Sequence, residues 1–179
     1  MTLVETMFSV GMTSVVMLAA LSLLVFGLVS WTRGQGRIDV EWASQAAVRT
    51  ISKEIREAMA VTVDADGRGV TYRLPQYTAG GGYVIPMTWD GISRRIEITN
   101  DGRCVMYGTG YSMTLCNNVI LTDPRASNAA YRPFVPGSGT VTRSINLMLV
   151  TRANVDRGQI VTNRSRETIF LRNIPDLYR

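Results

Sequence analysis

The sequence predicts an α+β protein in which one long N-terminal α-helix packs on an antiparallel β-sheet head. Three observations predict this fold: an apolar opening stretch, an amphipathic continuation with helical spacing, and a remainder in which apolar residues alternate between frequent turns. The chain divides accordingly into an apolar helix at residues 1–32, an amphipathic continuation at 33–60 and a β-rich head at 61–179.

The first helix is long and apolar enough to lie in a membrane. No charged side chain occurs between Glu5 and Arg33. A helix over this stretch is about 40 Å long, whereas the hydrocarbon core of a bilayer is about 30 Å thick. We therefore expect a transmembrane helix.

The second half of the helix is expected to rest on the head, because its apolar residues recur every three or four positions. Two glycines, Gly34 and Gly36, interrupt the pattern where the halves meet, so a bend there, or two separate helices joined there, is an alternative. The residues of the apolar stripe are Ile38, Trp42, Val48, Ile51, Ile55 and Met59.

The head is predicted to be an antiparallel meander. Asp90-Gly91 predicts a hairpin between a strand at 83–89 and another at 92–99. Residues 123–139, rich in proline and glycine, predict a surface loop. Near the end, residues 159–162 and 168–172 predict two short strands.

Composition limits the chemistry. The chain of 179 residues has no histidine and a net charge of +5. It therefore lacks the commonest general base and transition-metal ligand, and no nucleophile–base pair or metal-ligand spacing stands out. We expect no catalytic residues, no metal and no cofactor.

The cysteines Cys104 and Cys116 are predicted to form one disulfide, because the head is expected to face an oxidising compartment. The short loop between them implies about 3 kcal/mol of stabilisation. Two buried, unpaired thiols are the alternative.

Three weaker patterns have ordinary explanations. Asp64 to Gly67 is a fragment of a calcium loop, but aspartates are expected in turns. Asn163-Arg164-Ser165 matches a glycosylation acceptor, a short pattern that is common by chance. Tyrosines beside arginines could stack single-stranded nucleic acid, although cross-strand packing explains them too. These aromatic residues are Tyr72, Tyr77, Tyr83, Trp89, Tyr107 and Tyr111.

Glu5 is the unusual residue of the apolar helix. A carboxylate buried without a partner costs several kcal/mol. The nearest cation before Arg33 is the α-amino group of Met1, in the same chain or in a neighbouring copy. Glu5 could then set the register between copies, or it could be solvated at the membrane surface.

The opening Met1-Thr2-Leu3-Val4-Glu5, followed by the apolar helix, resembles the mature N-terminus of type IV pilins and pseudopilins. The resemblance covers roughly the first 30 residues. It implies that a prepilin peptidase removes a basic leader, that the first residue is N-methylated, and that Glu5 pairs with the amine of a neighbouring subunit. Met1 stands where the family usually has phenylalanine, and the proline common near the middle of the helix is absent.

The basic leader implied by this resemblance agrees with the charge distribution. Positive residues follow the helix, at Arg33 and Arg37, and the positive-inside rule would then keep the head in the cytoplasm. We expect that a basic segment preceded Met1 and reversed this orientation.

The resemblance implies a structural subunit that assembles with itself or with related pilins. Such a subunit is stored in the inner membrane, interacts with the assembly machinery and is then incorporated into an extracellular filament that serves in adhesion or motility. A minor pseudopilin of a type II secretion or DNA-uptake machine is the first alternative, and a monomeric membrane-anchored binding domain is the second. A head that binds DNA on such a filament is a third hypothesis.

Overall fold

The computed structural model describes residues 2–122, 131–138, 142–155 and 159–173. It has the expected α+β architecture, with a long N-terminal helix packed on an antiparallel β-sheet head. The elements are α1 (Leu3–Arg56), β1 (Ala60–Val63), β2 (Gly69–Pro75), β3 (Trp89–Ile98), β4 (Cys104–Gly108), β5 (Tyr111–Cys116), β6 (Phe134–Pro136), β7 (Ser144–Val155) and β8 (Gln159–Phe170).

Helix α1 runs without interruption through Gly34 and Gly36, so the alternative of two joined helices is wrong. It ends at Arg56, earlier than the predicted residue 60. The end of the described chain caps it: the backbone N–H of Arg172 donates to the Arg56 carbonyl, and the Asn173 side-chain amide donates to the Glu57 carbonyl. These bonds satisfy carbonyls that a helix end leaves unpaired.

The first five strands form a meander, in the order β1-β2-β3-β4-β5. The predicted hairpin at Asp90-Gly91 is wrong, because both residues lie inside β3, and residues 83–88 precede that strand without forming one of their own. Gly91 has a φ of 81°, and the Asp90 carboxylate accepts a bond from the Ile92 N–H. Asp90 and Gly91 therefore form a β-bulge inside β3 rather than a hairpin turn. The bulge lies opposite Leu74 of β2, where the pairing of the two strands changes register.

The other sheet has the order β6-β7-β8. The two short strands predicted near the end are one continuous strand, because β8 pairs with β7 along its whole length. Strand β6 lies within the predicted loop 123–139, whose residues 123–130 and 139 are outside the described part. Residues 118–120 also bond to β7, which connects the end of the meander to this sheet.

The upper part of α1 supplies the helical side of the core. Ala47, Ile51 and Ile55 are buried against side chains from both sheets. The predicted apolar stripe is wrong in its lower part: Ile38 and Trp42 are exposed, because they lie on nearly the opposite side of the helix from Ile51. The head therefore covers one side of the last turns of the helix, and the fully buried residues begin at Ser44.

Candidate assembly site

The lower half of α1 is an uncovered apolar surface. An 18-residue window of this helix reaches a mean hydropathy of 2.4, and none of that window is buried against the rest of the chain. Helix-forming residues such as Leu21 and Leu24 continue the helix, while Thr13, Ser14 and Ser22 bond their hydroxyls to carbonyls of the preceding turn. The helix is thus compatible with membrane anchoring.

Glu5 lies in the first turn of α1, where it completes a capping box with Thr2. The Thr2 N–H donates to Glu5 Oε2 at 2.8 Å, and the Glu5 N–H donates to Thr2 Oγ1 at 3.4 Å. A carboxylate in a first helical turn is also favoured by the helix dipole. Glu5 therefore has a local partner, Thr2, that was not predicted from the sequence.

Met1, the expected site of methylation and the expected source of the amine that pairs with Glu5, lies outside the described residues. The pairing of Glu5 between neighbouring copies stays a prediction. Within the described chain, Glu5 is exposed and its carboxylate interacts with backbone of its own helix.

A polar cluster attaches α1 to β8. Ser44 Oγ lies 2.8 Å from Ser165 Oγ and accepts a bond of 2.8 Å from the Asn163 amide. Ser44 was not predicted from the sequence, since no local pattern marks a small polar residue whose partners lie over a hundred positions away. Asn163, the candidate glycosylation acceptor, uses its amide nitrogen in this cluster.

Basic residues line a cleft between the last turns of α1 and β8. The walls carry Arg49, Lys53, Arg56 and Arg172, together with Ser52, Glu57 and Glu167. Arg56 Nη2 lies 3.3 Å from Glu167 Oε1, in a partly exposed ion pair. The cleft carries more positive than negative side chains, and the face of α1 near its end is therefore basic.

The two cysteines face each other across β4 and β5, as register partners. Both are buried and both are free thiols in the structure. A hydrogen bond with Cys116, reinforced by burial, raises the pKa of Cys104. The pairing geometry brings together the residues predicted to form the disulfide, and the disulfide itself stays a prediction.

The carboxylates of the candidate calcium fragment have other partners. Asp64 Oδ2 lies 2.6 Å from Arg95 Nη2, and Glu97 binds the same guanidinium at 2.7 Å. Asp66 accepts the Arg68 N–H, as expected of aspartate in a turn. Among the described residues, no three His, Cys, Asp or Glu side chains are grouped as metal ligands.

Four of the aromatic residues named above pack against the chain itself. Tyr72 is fully buried, and Tyr77 and Tyr83 lie 5.1 Å apart between ring centroids. The Arg73 guanidinium lies over the Trp89 ring at 4.6 Å. Burial and a hydrogen bond with Tyr83 raise the pKa of Tyr77 to about 12. These contacts favour the packing explanation for the rings over nucleic-acid stacking.

Comparison with known proteins adds no relative. No protein-family model, no curated protein and no solved structure matches the chain.

Proposed function

We propose that this chain is a structural subunit of a type IV pilus-like filament. The lower half of α1 packs with the helices of other copies or related subunits, and the β-rich head covers the outside. The observation that carries the proposal is the division of one unbroken helix: its upper turns are buried in the head, while its apolar half has no cover from the described chain. Lipid would cover that half before assembly, and neighbouring helices would cover it afterwards.

Glu5 has a mechanical role in this proposal. Packing several apolar helices side by side gives little axial specificity, because one turn of leucine and valine resembles the next. A single carboxylate that meets the amine of a neighbour fixes the relative height of two subunits. No catalytic step is needed, and the filament would serve in adhesion or motility, or in secretion if the chain is a pseudopilin.

The proposal is tested with Glu5→Ala. We expect this variant to insert into the membrane at the wild-type level but to yield far fewer filaments in electron micrographs of sheared surface material. Mass spectrometry of the N-terminal peptide would show whether a leader is removed before Met1 and whether Met1 is methylated. Normal filament yield from Glu5→Ala would refute the register role, and absence of filaments from the wild type would refute the proposed function.

The capping box favours a second candidate, a monomeric binding domain on a membrane anchor. Because Thr2 already satisfies the Glu5 carboxylate, no neighbouring copy is required to explain that residue. This candidate predicts that the intact protein stays monomeric in detergent and in the native membrane. Covalent cross-linking in membranes, followed by electrophoresis, distinguishes the two: a ladder of oligomers supports the filament, and monomer alone supports the anchor.

A further inference from the structure

Two large apolar side chains remain exposed on the part of α1 that follows its charge-free stretch. Ile38 is 49% exposed and Trp42 is 69% exposed. They lie one turn apart on the same helix face as Trp31. Ile38 is seven residues after Trp31 and Trp42 is four residues after Ile38, and both spacings are close to whole turns of the helix. The apolar surface of the lower helix therefore continues upward along one face.

Lipid is a poor cover for this pair. Arg33, Arg37 and Asp39 are exposed around the same turns, and charged side chains mark the helix as having left the hydrocarbon region. Trp42 lies about 17 Å along the axis above Trp31. The chain's own head does not cover the pair either, because the buried residues of α1, such as Ile51, lie on the opposite side of the helix.

Acidic side chains border the exposed pair on both sides. Asp39 and Glu41 stand about 80° to either side of the line through Ile38 and Trp42, at 100° per residue. Further up the same face, Arg49 lies seven residues after Trp42, and Lys53 lies four residues after Arg49. One face of one helix therefore has an acid-bordered apolar patch below and a cationic patch above.

We propose that these two patches bind each other between copies: the Ile38–Trp42 patch of one subunit docks on the Arg49–Lys53 patch of the next. The two patches are about 17 Å apart along the axis, so the two copies in this contact would be staggered by roughly that distance. A copy whose amine meets Glu5 would be staggered by only about 6 Å, so the two contacts involve different neighbours. The Trp42 ring would then lie against a cation, and Asp39 and Glu41 would neutralise Arg49 and Lys53. This inference rests on the proposed filament and specifies its lateral contact outside the membrane.

Zero-length carbodiimide cross-linking provides a sharp test, because Lys53 is the only lysine of the chain. Within one straight helix Lys53 lies about 18 Å from Glu41, too far for a bond without a spacer. A peptide joining Lys53 to Asp39 or Glu41 must therefore come from two copies. We expect this peptide in mass spectra of native filaments and not in detergent-dispersed monomer.

Two variants complete the test. Lys53→Arg removes the cross-linkable amine but keeps the charge, so it should lose the linked peptide and keep its filaments. Trp42→Ala should lower filament yield several-fold at unchanged membrane level, whereas Phe170→Ala, an equally exposed aromatic on β8, should not. Wild-type filaments without the linked peptide, or Trp42→Ala filaments at normal yield, would overturn this contact while leaving the filament intact. A wild type without filaments would instead refute the proposed function.

Discussion

The backbone N–H of Thr2 donates a 2.8 Å hydrogen bond to Glu5 Oε2, so this carboxylate closes the first turn of its own helix. Glu5 is therefore partnered before any copy docks. Pairing with the amine of a neighbour would exchange a bond from a neutral N–H for a stronger one in which donor and acceptor are both charged. The free energy that Glu5 contributes to assembly is the difference between those two states, which is smaller than the cost of burying a bare carboxylate.

Glu5→Gln separates the capping role from the charge. Glutamine can still accept the Thr2 N–H, and Gln is a usual partner in a capping box. We expect the variant to keep its helical first turn but to assemble as poorly as Glu5→Ala, because the ion pair between copies needs the negative charge. Filament yield by electron microscopy, normalised to membrane-inserted protein, is the measurement.

Thr2→Ala is the complementary change, with Thr2→Ser as its matched control. Loss of the cap should cost about 1 kcal/mol of local helix stability, and serine should retain it. Assembly should fall less than in Glu5→Gln. Wild-type yield from Glu5→Gln together with a large loss in Thr2→Ala would mean that Glu5 acts as a cap rather than as a charge.

Local patterns in the sequence were sufficient to predict the long helix and the meander. The absence of charge between Glu5 and Arg33 and the switch from helical to alternating spacing depend on neighbouring residues alone, and both predictions are confirmed at the level of the fold. Boundaries were less accurate. Asp90-Gly91 has the composition of a hairpin turn, but residues before and after it pair with the same neighbouring strand, β2. Strand β3 therefore continues through these two residues instead of reversing direction.

The extent of the helix that the head covers could not be predicted. At 100° per residue, Ile38 and Trp42 lie on nearly the opposite side of the helix from Ile51, so the predicted stripe does not occupy one face, and the head buries only the side that carries Ile51. Which side the head covers is determined by contacts distant in sequence, such as Ser44 with Asn163. The same distance explains why the Ser44 cluster was missed.

Cys104 and Cys116 should form a disulfide in an oxidising compartment, because they are register partners on adjacent strands. When protein isolated from such a compartment is unfolded, its cysteines should not react with a thiol reagent until a reductant is added. Reduction should destabilise the head by about 3 kcal/mol, visible as a lower thermal midpoint of the full chain in detergent. The double variant Cys104→Ala/Cys116→Ala should show no response to reductant. Two reactive thiols in native material would disprove the disulfide.

Ser44→Ala should loosen the attachment of α1 to β8. The change removes the hydroxyl that bonds Ser165 and accepts from Asn163, so partly buried polar atoms lose partners. A cost of about 1–3 kcal/mol is expected. Thr50→Ala is the control, because the Thr50 hydroxyl donates to the Ala46 carbonyl of its own helix. Equal thermal midpoints for the two variants would contradict a specific role of Ser44.

The Asp90–Arg94 pair should make the stability of the head depend on pH. Arg94 Nη1 lies 2.7 Å from Asp90 Oδ2, and the two side chains are only 16% and 19% exposed. Burial alone would raise the pKa of Asp90, but the hydrogen bonds from Arg94 and from the Ile92 N–H outweigh it and lower the pKa. A carboxyl whose folded-state pKa is lowered stabilises the fold fully above its unfolded pKa, near 4.

This stabilisation should therefore be lost as the pH falls below about 4 and through the lower pKa of the folded state. Asp90→Asn should lower the thermal midpoint at neutral pH, because Arg94 is left without its charged partner. The loss of unfolding free energy should be smaller than the roughly 3–5 kcal/mol that is typical of breaking a fully buried ion pair. Its midpoint should then lie closer to that of the wild type as the pH drops toward 2. Asp101→Asn is the control, since its pair with Arg103 is exposed and should contribute little at any pH. If the difference in thermal midpoint between Asp90→Asn and the wild type stayed constant from pH 7 to pH 2, the ionised carboxylate would not be what stabilises this part of β3.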